Sequence, residues 1–307
     1  MPNSICRNHE TYREYLSAHR LAYGLAKSGR KQEILISFSP ALFCLFLYQI
    51  CPTKYEGELV SSSAFLAVIV LLACDLILEP VRIKHRRQAN LDLEAYDTGI
   101  LELPWNEAIS GRKPSKESRE TAAADYEKTM AQAHPPELSL DDSWFPPVLE
   151  TIDIDRARVY CQRQNCSFEL MYRRKYIQYF LLPMIFITLL LVLAQAYVFG
   201  FKLDNIMLSL IISAPIFRIL IQGLLVQTNN IKSITELRED IDTLRLSDEP
   251  ITVKEGREFQ DRLFVTRDTL PLISIGGFKI IKSKYVPLLK KETETLLSKD
   301  PHAAVSL

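Results

Sequence analysis

The chain has 307 residues, 48% of them hydrophobic, and carries 37 Lys and Arg against 37 Asp and Glu. That zero formal net charge leaves no footprint for nucleic acid. The average hydropathy is near zero only because apolar residues gather in four blocks almost free of charge, the pattern of a chain that spends part of its length in lipid.

The first 33 residues form an arm. Tyr12, Tyr15, Leu16, His19, Leu21, Tyr23 and Leu25 recur at helical spacing, which predicts an amphipathic helix packing on a cytoplasmic domain. Met1 to Gln32 is too rich in charge for a secretory signal, so insertion is expected to use the first apolar block itself. That block, Ile34 to Ile50, contains Pro40; the second, Ser62 to Val81, contains Asp75. Each is long enough to cross a hydrocarbon core of about 30 Å.

A polar insert follows, residues 84–175. Helix is expected to continue out of the second block and to break at Tyr96-Asp97-Thr98-Gly99, because Gly and Asp favour a turn. Leu101 to Asn106 reads as extended around Pro104. A helix from Ser115 to Ala133 is expected, with Ser115 or Ser118 as its cap and Pro135-Pro136 as its stop. Another begins near Ile154 and runs through Tyr172 into the third apolar block, with Asp153-Ile154-Asp155 as a helix start rather than a metal site.

The third block, Tyr176 to Phe201, and the fourth, Ile206 to Val226, are separated by Lys202 to Asn205, which requires a tight antiparallel hairpin. Beyond them Ile231, Ile234, Leu237, Ile241 and Leu244 form a helical stripe, either a coiled-coil seam or a face packed on the insert. A helical region around Gly256 to Thr266 leads through Pro271 and Gly276-Gly277 to a tail rich in lysine: Lys279, Lys282, Lys284, Lys290 and Lys291.

Orientation follows from the cations. Arg30 and Lys31 precede the first block, Arg82, Lys84, Arg86 and Arg87 follow the second, and Arg173, Arg174 and Lys175 precede the third, whereas the opposite turns hold only Lys54 and Lys202. An excess of Lys and Arg marks cytoplasmic flanks. The expected architecture is an all-α, multi-pass membrane protein with both termini in the cytoplasm. Four transmembrane helices form two hairpins, 34–83 and 176–226, and a mainly helical cytoplasmic domain is built from the arm 1–33, the insert 84–175 and the tail 227–307.

Ionisable groups inside a span are costly, about 2.5 to 3.5 kcal/mol each, and invite a functional reading. Asp75 and Arg218 lie at similar depth from the outer ends of their spans. They can form an ion pair tying the hairpins together, or face an aqueous path with Gln222, one turn from Arg218. Gln195 is placed to hydrogen-bond to another helix, and Pro215 to kink the fourth span.

Three features taken together give the chain a family likeness: the two-hairpin plan around a cytoplasmic insert, the Asp97-Thr98-Gly99 turn before Leu103-Pro104-Trp105-Asn106, and the stretch from Arg257 to Arg267. With these and with Leu21, Tyr23, Ala26 and Lys27 of the arm, the chain resembles the SMODS-associating four-transmembrane effector family of bacteria. The resemblance implies a pore-forming effector of anti-phage defence in the inner membrane, encoded beside a nucleotidyltransferase whose cyclic nucleotide opens or assembles a membrane lesion.

Four helices in one bundle leave no lumen, so a pore implies a homo-oligomer in the lipid. A receptor for a cyclic nucleotide needs cations for phosphate and an aromatic face for the base. Trp105, Asn106, Arg112, Lys113, Gln260 and Arg267 supply those types, though Trp105 also suits a packing anchor and Arg112-Lys113 a solvated loop. Catalysis is not expected. His9, His19, His85, His134 and His302 lack metal spacing, Cys6, Cys44, Cys51, Cys74, Cys161 and Cys166 lack C-x-x-C pairs, and no nucleophile motif is present, so neither metal nor cofactor is implied. The competing function is a non-lethal small channel, transporter or membrane scaffold.

Overall fold

A computed structural model describes residues 5, 8–28, 32, 56–132, 144–199, 201–268 and 277–300. Within these, the side chains of residues 9–10, most of 56–76, 129–132, 199, 205 and 277–282 stand outside the description. The described residues form helices and no strand: α1 (Asn8–Thr11), α2 (13–28), α3 (Glu56–Ile100), α4 (Glu107–Ser110), α5 (Lys116–Gln132), a 3-10 turn (Pro147–Thr151), α6 (Ile154–Tyr176), α7 (Leu182–Phe199), α8 (Leu203–Leu246), α9 (Val253–Asp268) and α10 (Gly277–Ser298). The first apolar block lies outside the described residues, as do the side chains of most of the second, whose backbone belongs to α3.

Two helical runs, 154–198 and 206–246, are long and apolar enough to cross a membrane. The first is α6 flowing through a π-helical turn, Ile177–Leu181, into α7. The wide turn falls just before Pro183, which has no N–H and would crowd the carbonyl four residues back. α8 is one helix of 44 residues despite Pro215, and α3 one of 45 despite Pro80. At about 1.5 Å per residue each is about twice as long as a bilayer core is thick. These helices therefore continue from the apolar blocks into the polar domain without a joint.

The insert departs from expectation at Tyr96 to Gly99 and in the short helix α4, which the sequence does not predict. α3 does not break at Tyr96 to Gly99; it runs through them to Ile100, and the chain turns at Leu101-Glu102, where Glu102 takes φ 51°. Gly99 serves close approach instead of a turn. A β-carbon there would lie 2.4 Å from Cε1 of Tyr12, so the arm packs where a side chain would otherwise stand. α5 and α6 lie where the sequence places them: Ser115 accepts the Ser118 N–H at 3.2 Å, and Asp153 caps α6 by accepting the Asp155 N–H at 2.9 Å.

Packing centres on α6, of whose 23 residues 16 are buried. Its first half closes a core with Ile5, Tyr15, Tyr96, Ile100, Leu101 and Leu149. Its middle packs Val159, Cys166 and Leu170 on Ile234, Leu237 and Ile241 of α8 and Leu263 of α9, so the α8 stripe is spent within the chain. Its last turns, Phe168, Tyr172 and Tyr176, join Ile212, Ile216 and Leu220 of α8 and Val286 and Leu289 of α10. α10 occupies the lysine-rich stretch of the helical tail.

Replacing Gly99 with Ala is expected to lower stability by about 1 to 3 kcal/mol, the usual cost of overpacking. Thermal unfolding of the purified protein measures it, and Tyr12→Ala in the same chain should recover most of the loss.

Candidate functional site

α9 turns a row of polar residues inward: Arg257, Gln260 and Arg267 are buried and Asp261 and Asp268 half-buried, at helical spacing beside Leu263 and Phe264. The last turns of α3 present Glu94 and Asp97 to that row. Arg257 donates from Nη2 to Glu94 Oε1 at 2.5 Å and lies 2.7 Å from Asp261. Gln260 donates from Nε2 to the other oxygen of Glu94 at 2.8 Å and to Asp97 at 3.4 Å. Arg267 donates from Nη1 to the same Asp97 oxygen at 2.6 Å. Lower on the interface Asp268 accepts from Arg87 and, at 3.1 Å, from Asn90.

From Arg267 the contacts pass to the near ends of the third and fourth apolar blocks. Its Nε lies 3.6 Å from Glu169, Glu169 accepts from Arg173 at 2.6 Å, and Arg173 donates to Gln227 Oε1 at 3.0 Å. Arg173 stands three residues before the third apolar block and Gln227 directly after the fourth. Both are essentially inaccessible. Burial pushes the Glu94 carboxyl above its ordinary pKa, against the pull of Arg257 and Gln260. Burial also works against the charge on Arg267, but Asp97 and Glu169 outweigh it and hold the guanidinium above its usual pKa. Several buried polar atoms of the same network, Nε of Arg173, Arg257 and Arg267, Nε2 of Gln227 and Oε1 of Gln260, have no hydrogen-bond partner among the described residues.

The other end of the network is the loop after α3. Arg158 of α6 donates to the Leu101 carbonyl at 2.5 Å and the Glu102 carbonyl at 3.1 Å, and Arg257 holds the Pro104 carbonyl at 3.1 Å. The expected nucleotide-binding residues divide here. Asn106 donates to Asp261 at 2.7 Å, joining the network, and Trp105 donates from its ring nitrogen to the Gly111 carbonyl at 2.8 Å while Lys113 sits 5.7 Å from its ring centre. Arg112 is exposed on the same loop. Gln260 and Arg267 instead face the carboxylates of α3 in the interior. Glu94, Asp97, Glu169, Arg173 and Gln227 were not singled out as site residues. The signal available was the recurrence of polar residues at helical spacing, which α9 shows beside Leu263 and Phe264 and which α6 hides by being polar on most faces.

Within the spans, Gln195 is fully buried and accepts from Ser213 at 3.3 Å, tying α7 to α8. Arg218 and Gln222 lie one turn apart on the exposed face of α8. The side chain of Asp75 lies outside the described residues, and with it the expected pairing to Arg218.

The arm packs beside the network. His19 stacks on Tyr23 with ring centres 5.6 Å apart, and its Nδ1 lies 2.8 Å from the Ala89 carbonyl. Burial lowers its pKa to about 4, and the positive charges of Arg267 and Arg20 push the same way.

Because Asp97 and Arg267 are buried partners, Arg267→Gln is expected to cost about 3 to 5 kcal/mol by stranding a carboxylate, and the double change with Asp97→Asn to cost clearly less than the sum of the two singles. Denaturant unfolding of the four proteins measures the coupling; strict additivity would contradict it. For His19 the folded pKa lies below the free value near 6.5, so its contribution is complete above pH 6.5 and is lost as pH falls toward 4. Proteolysis of the arm should accelerate across that window, and His19→Gln should flatten the dependence.

No curated protein and no solved structure matches this chain. One family model does, described as the SMODS-associating 4TM effector domain, and it matches residues 3–296, nearly the whole length. With two long apolar helices continuous with a buried polar domain, the chain belongs to the SMODS-associating 4TM effector domain family.

Proposed function

We propose that the protein is a pore-forming effector of a cyclic-nucleotide-signalled anti-phage system in the bacterial inner membrane. In this reading four spans form two hairpins, both termini are cytoplasmic, the chain is not an enzyme, and several copies assemble around an opening that a single bundle is too solid to contain. The family membership supports the effector role, and one structural observation carries the mechanism. A continuous set of buried polar contacts runs from Asn106 and Asp261 through Arg257, Glu94, Gln260, Asp97, Arg267 and Glu169 to Arg173 and Gln227 at the ends of two apolar blocks.

The signal's phosphates meet Arg112 and Lys113, and a base stacks on Trp105. Asn106 and the Pro104 carbonyl pass the change to α9, whose guanidinium and amide groups exchange carboxylate partners. Polar atoms that have no hydrogen-bond partner among the described residues are consistent with a second arrangement in which they are paired. Since α6 and α8 enter the spans without a break, a tilt at the Arg173–Gln227 contact becomes a tilt in the membrane. Arg218 and Gln222 then border the conducting path, with Asp75 as the partner or neighbour of Arg218.

The test is membrane potential in cells producing this protein with an active or a catalytically dead partner synthase. Depolarisation should occur only with the active enzyme. Arg173→Gln should abolish it while the protein still inserts and accumulates, and Arg218→Gln and Asp75→Asn should alter ion flux without reducing expression. Depolarisation that ignores the synthase, or none under any condition, would favour the non-lethal channel, transporter or scaffold.

A further inference from the structure

α8 carries an unbroken seven-residue repeat. Ser213, Leu220, Gln227, Ile234 and Ile241 are each no more than 2% exposed, and Ser209, Ile216, Gly223, Asn230 and Leu237, also buried, interleave with them at alternating steps of four and three. That spacing keeps one seam turned toward a neighbouring helix along its whole length. The neighbour, α6 running into α7, keeps the same repeat with one fault. Val159, Cys166 and Arg173 stand seven apart and so do Leu181, Thr188 and Gln195, all six no more than 2% exposed, but the step from Arg173 to Leu181 is eight. Both halves meet α8. Val159 and Cys166 pack with Ile234 and Ile241, Arg173 donates to Gln227, a β-carbon on Gly223 would lie 3.6 Å from Leu181, and Gln195 accepts from Ser213.

The spare residue sits in the wide turn Ile177–Leu181, where the Leu182 N–H bonds to the Ile177 carbonyl five residues back. Such a turn adds one residue to a helix without breaking it. Pro183 favours its present place, because a regular turn would press the proline ring on the Tyr179 carbonyl. On the inner side nothing comparable stops it. Residues 154–182 contain neither Pro nor Gly, so the turn can travel down α6 by exchanging one backbone hydrogen bond at a time. Behind a turn that has moved, each residue of α6 rotates by about 100° and its successor takes its place on the seam. The successors match in chemistry: Met171 follows Leu170, and Arg174, now exposed, follows Arg173.

We propose that the turn Ile177–Leu181 is a one-residue register switch between the polar domain and the third apolar block. In its second setting the spare residue lies below Leu170, Arg174 stands opposite Gln227 and Met171 replaces Leu170, while α7 keeps its seam on α8 and the helix stays continuous. The observed setting is the major one, since the second returns Pro183 to a regular turn and carries Arg173 into the place of Tyr172, among Phe168, Tyr176 and Val286. The switch requires neither a pore nor a nucleotide.

The test is cross-linking by a short bifunctional thiol reagent in the full-length protein in nanodiscs, with the native cysteines changed to Ser. Arg173→Cys with Gln227→Cys reports the observed setting, Arg174→Cys with Gln227→Cys the second, and Lys175→Cys with Gln227→Cys the background. A setting populated at about 0.1 to 10% should cross-link about 10- to 1,000-fold more slowly than the first pair and still above background. Deletion of Gln178, which removes the spare residue, should keep the first pair and reduce the second to background. Pro183→Ala, which frees the turn, should speed the second pair at the expense of the first. Thermal unfolding supplies the control for folding: deletion of Gln178 should be tolerated, whereas deletion of Leu190, inside the faultless half of the repeat, should break the Gln195 to Ser213 contact and lower stability. A second pair at background both with Pro183 and with Pro183→Ala would overturn the proposal. So would a second pair that survives deletion of Gln178, or a Gln178 deletion as damaging as that of Leu190. None of these readouts depends on whether the synthase depolarises cells, so the pore reading stands or falls separately.

Discussion

The whole arrangement depends on a helix that is buried on nearly every face and yet is polar. α6 places Arg158, Gln162, Arg163, Gln164, Asn165 and Arg173 in the interior, where an unpaired polar group costs about 1 to 3 kcal/mol and an unpaired charge more. Each finds its partner on another element. Arg158 takes the loop after α3, Gln162 the Gly256 carbonyl of α9, and Arg163 takes Asp242 of α8 and Glu292 of α10. Gln164 takes the Trp144 carbonyl and Thr293 of α10, Asn165 accepts from the Trp144 ring, and Arg173 takes Gln227 of α8. Apolar packing alone would tolerate sliding between these helices, whereas this pairing selects one register.

On the function proposed above, the same pairing is what makes the polar domain responsive to a charge placed at its edge. α9 buries Leu263 and Phe264, and polar pairs fix its place: Glu94, Asp97 and Asp268 hold it to α3, and Gln162 and Glu169 hold it to α6. Removing one of these carboxylates would therefore act first on the polar seam between α9 and α3. α6 and α8 run from the polar domain into the apolar runs without a break, which on the proposed function couples the two ends. Stability and response draw on the same contacts.

How much of this was legible in the sequence differs by scale. The apolar third and fourth blocks, the short connection between them and the continuation of α6 and α8 into polar helix could be read from runs and periodicity, because lipid and helix impose patterns that need no partner. Tyr96 to Gly99 could not: Gly and Asp signal a turn only where nothing packs on them, and there the Tyr12 ring rewards continuing the helix. The bounds of α10 were hidden by Gly276-Gly277 before it and Pro287 inside it, and its apolar residues gain their meaning only against α6. In the site, Gln260, Arg267 and Asn106 were picked for their chemistry, but their partners Glu94, Asp97, Glu169 and Asp261 come from three separate helices. Periodicity within one helix carries no information about which carboxylate lies opposite.

The most direct measurement of the central claim, that α9 relays a cytoplasmic signal to the spans, is a pair of spin labels on the purified protein in nanodiscs. One is placed on the accessible edge of α9 at residue 258 and the other on the exposed face of α8 at residue 236, and their separation is read before and after adding the partner synthase with its nucleotide substrates. The account predicts a second distance that grows in with active synthase, is missing with the dead enzyme, and fails to form when Arg173 is Gln. Membrane leakage appearing while the α9 to α8 distance stays single and unchanged would contradict it.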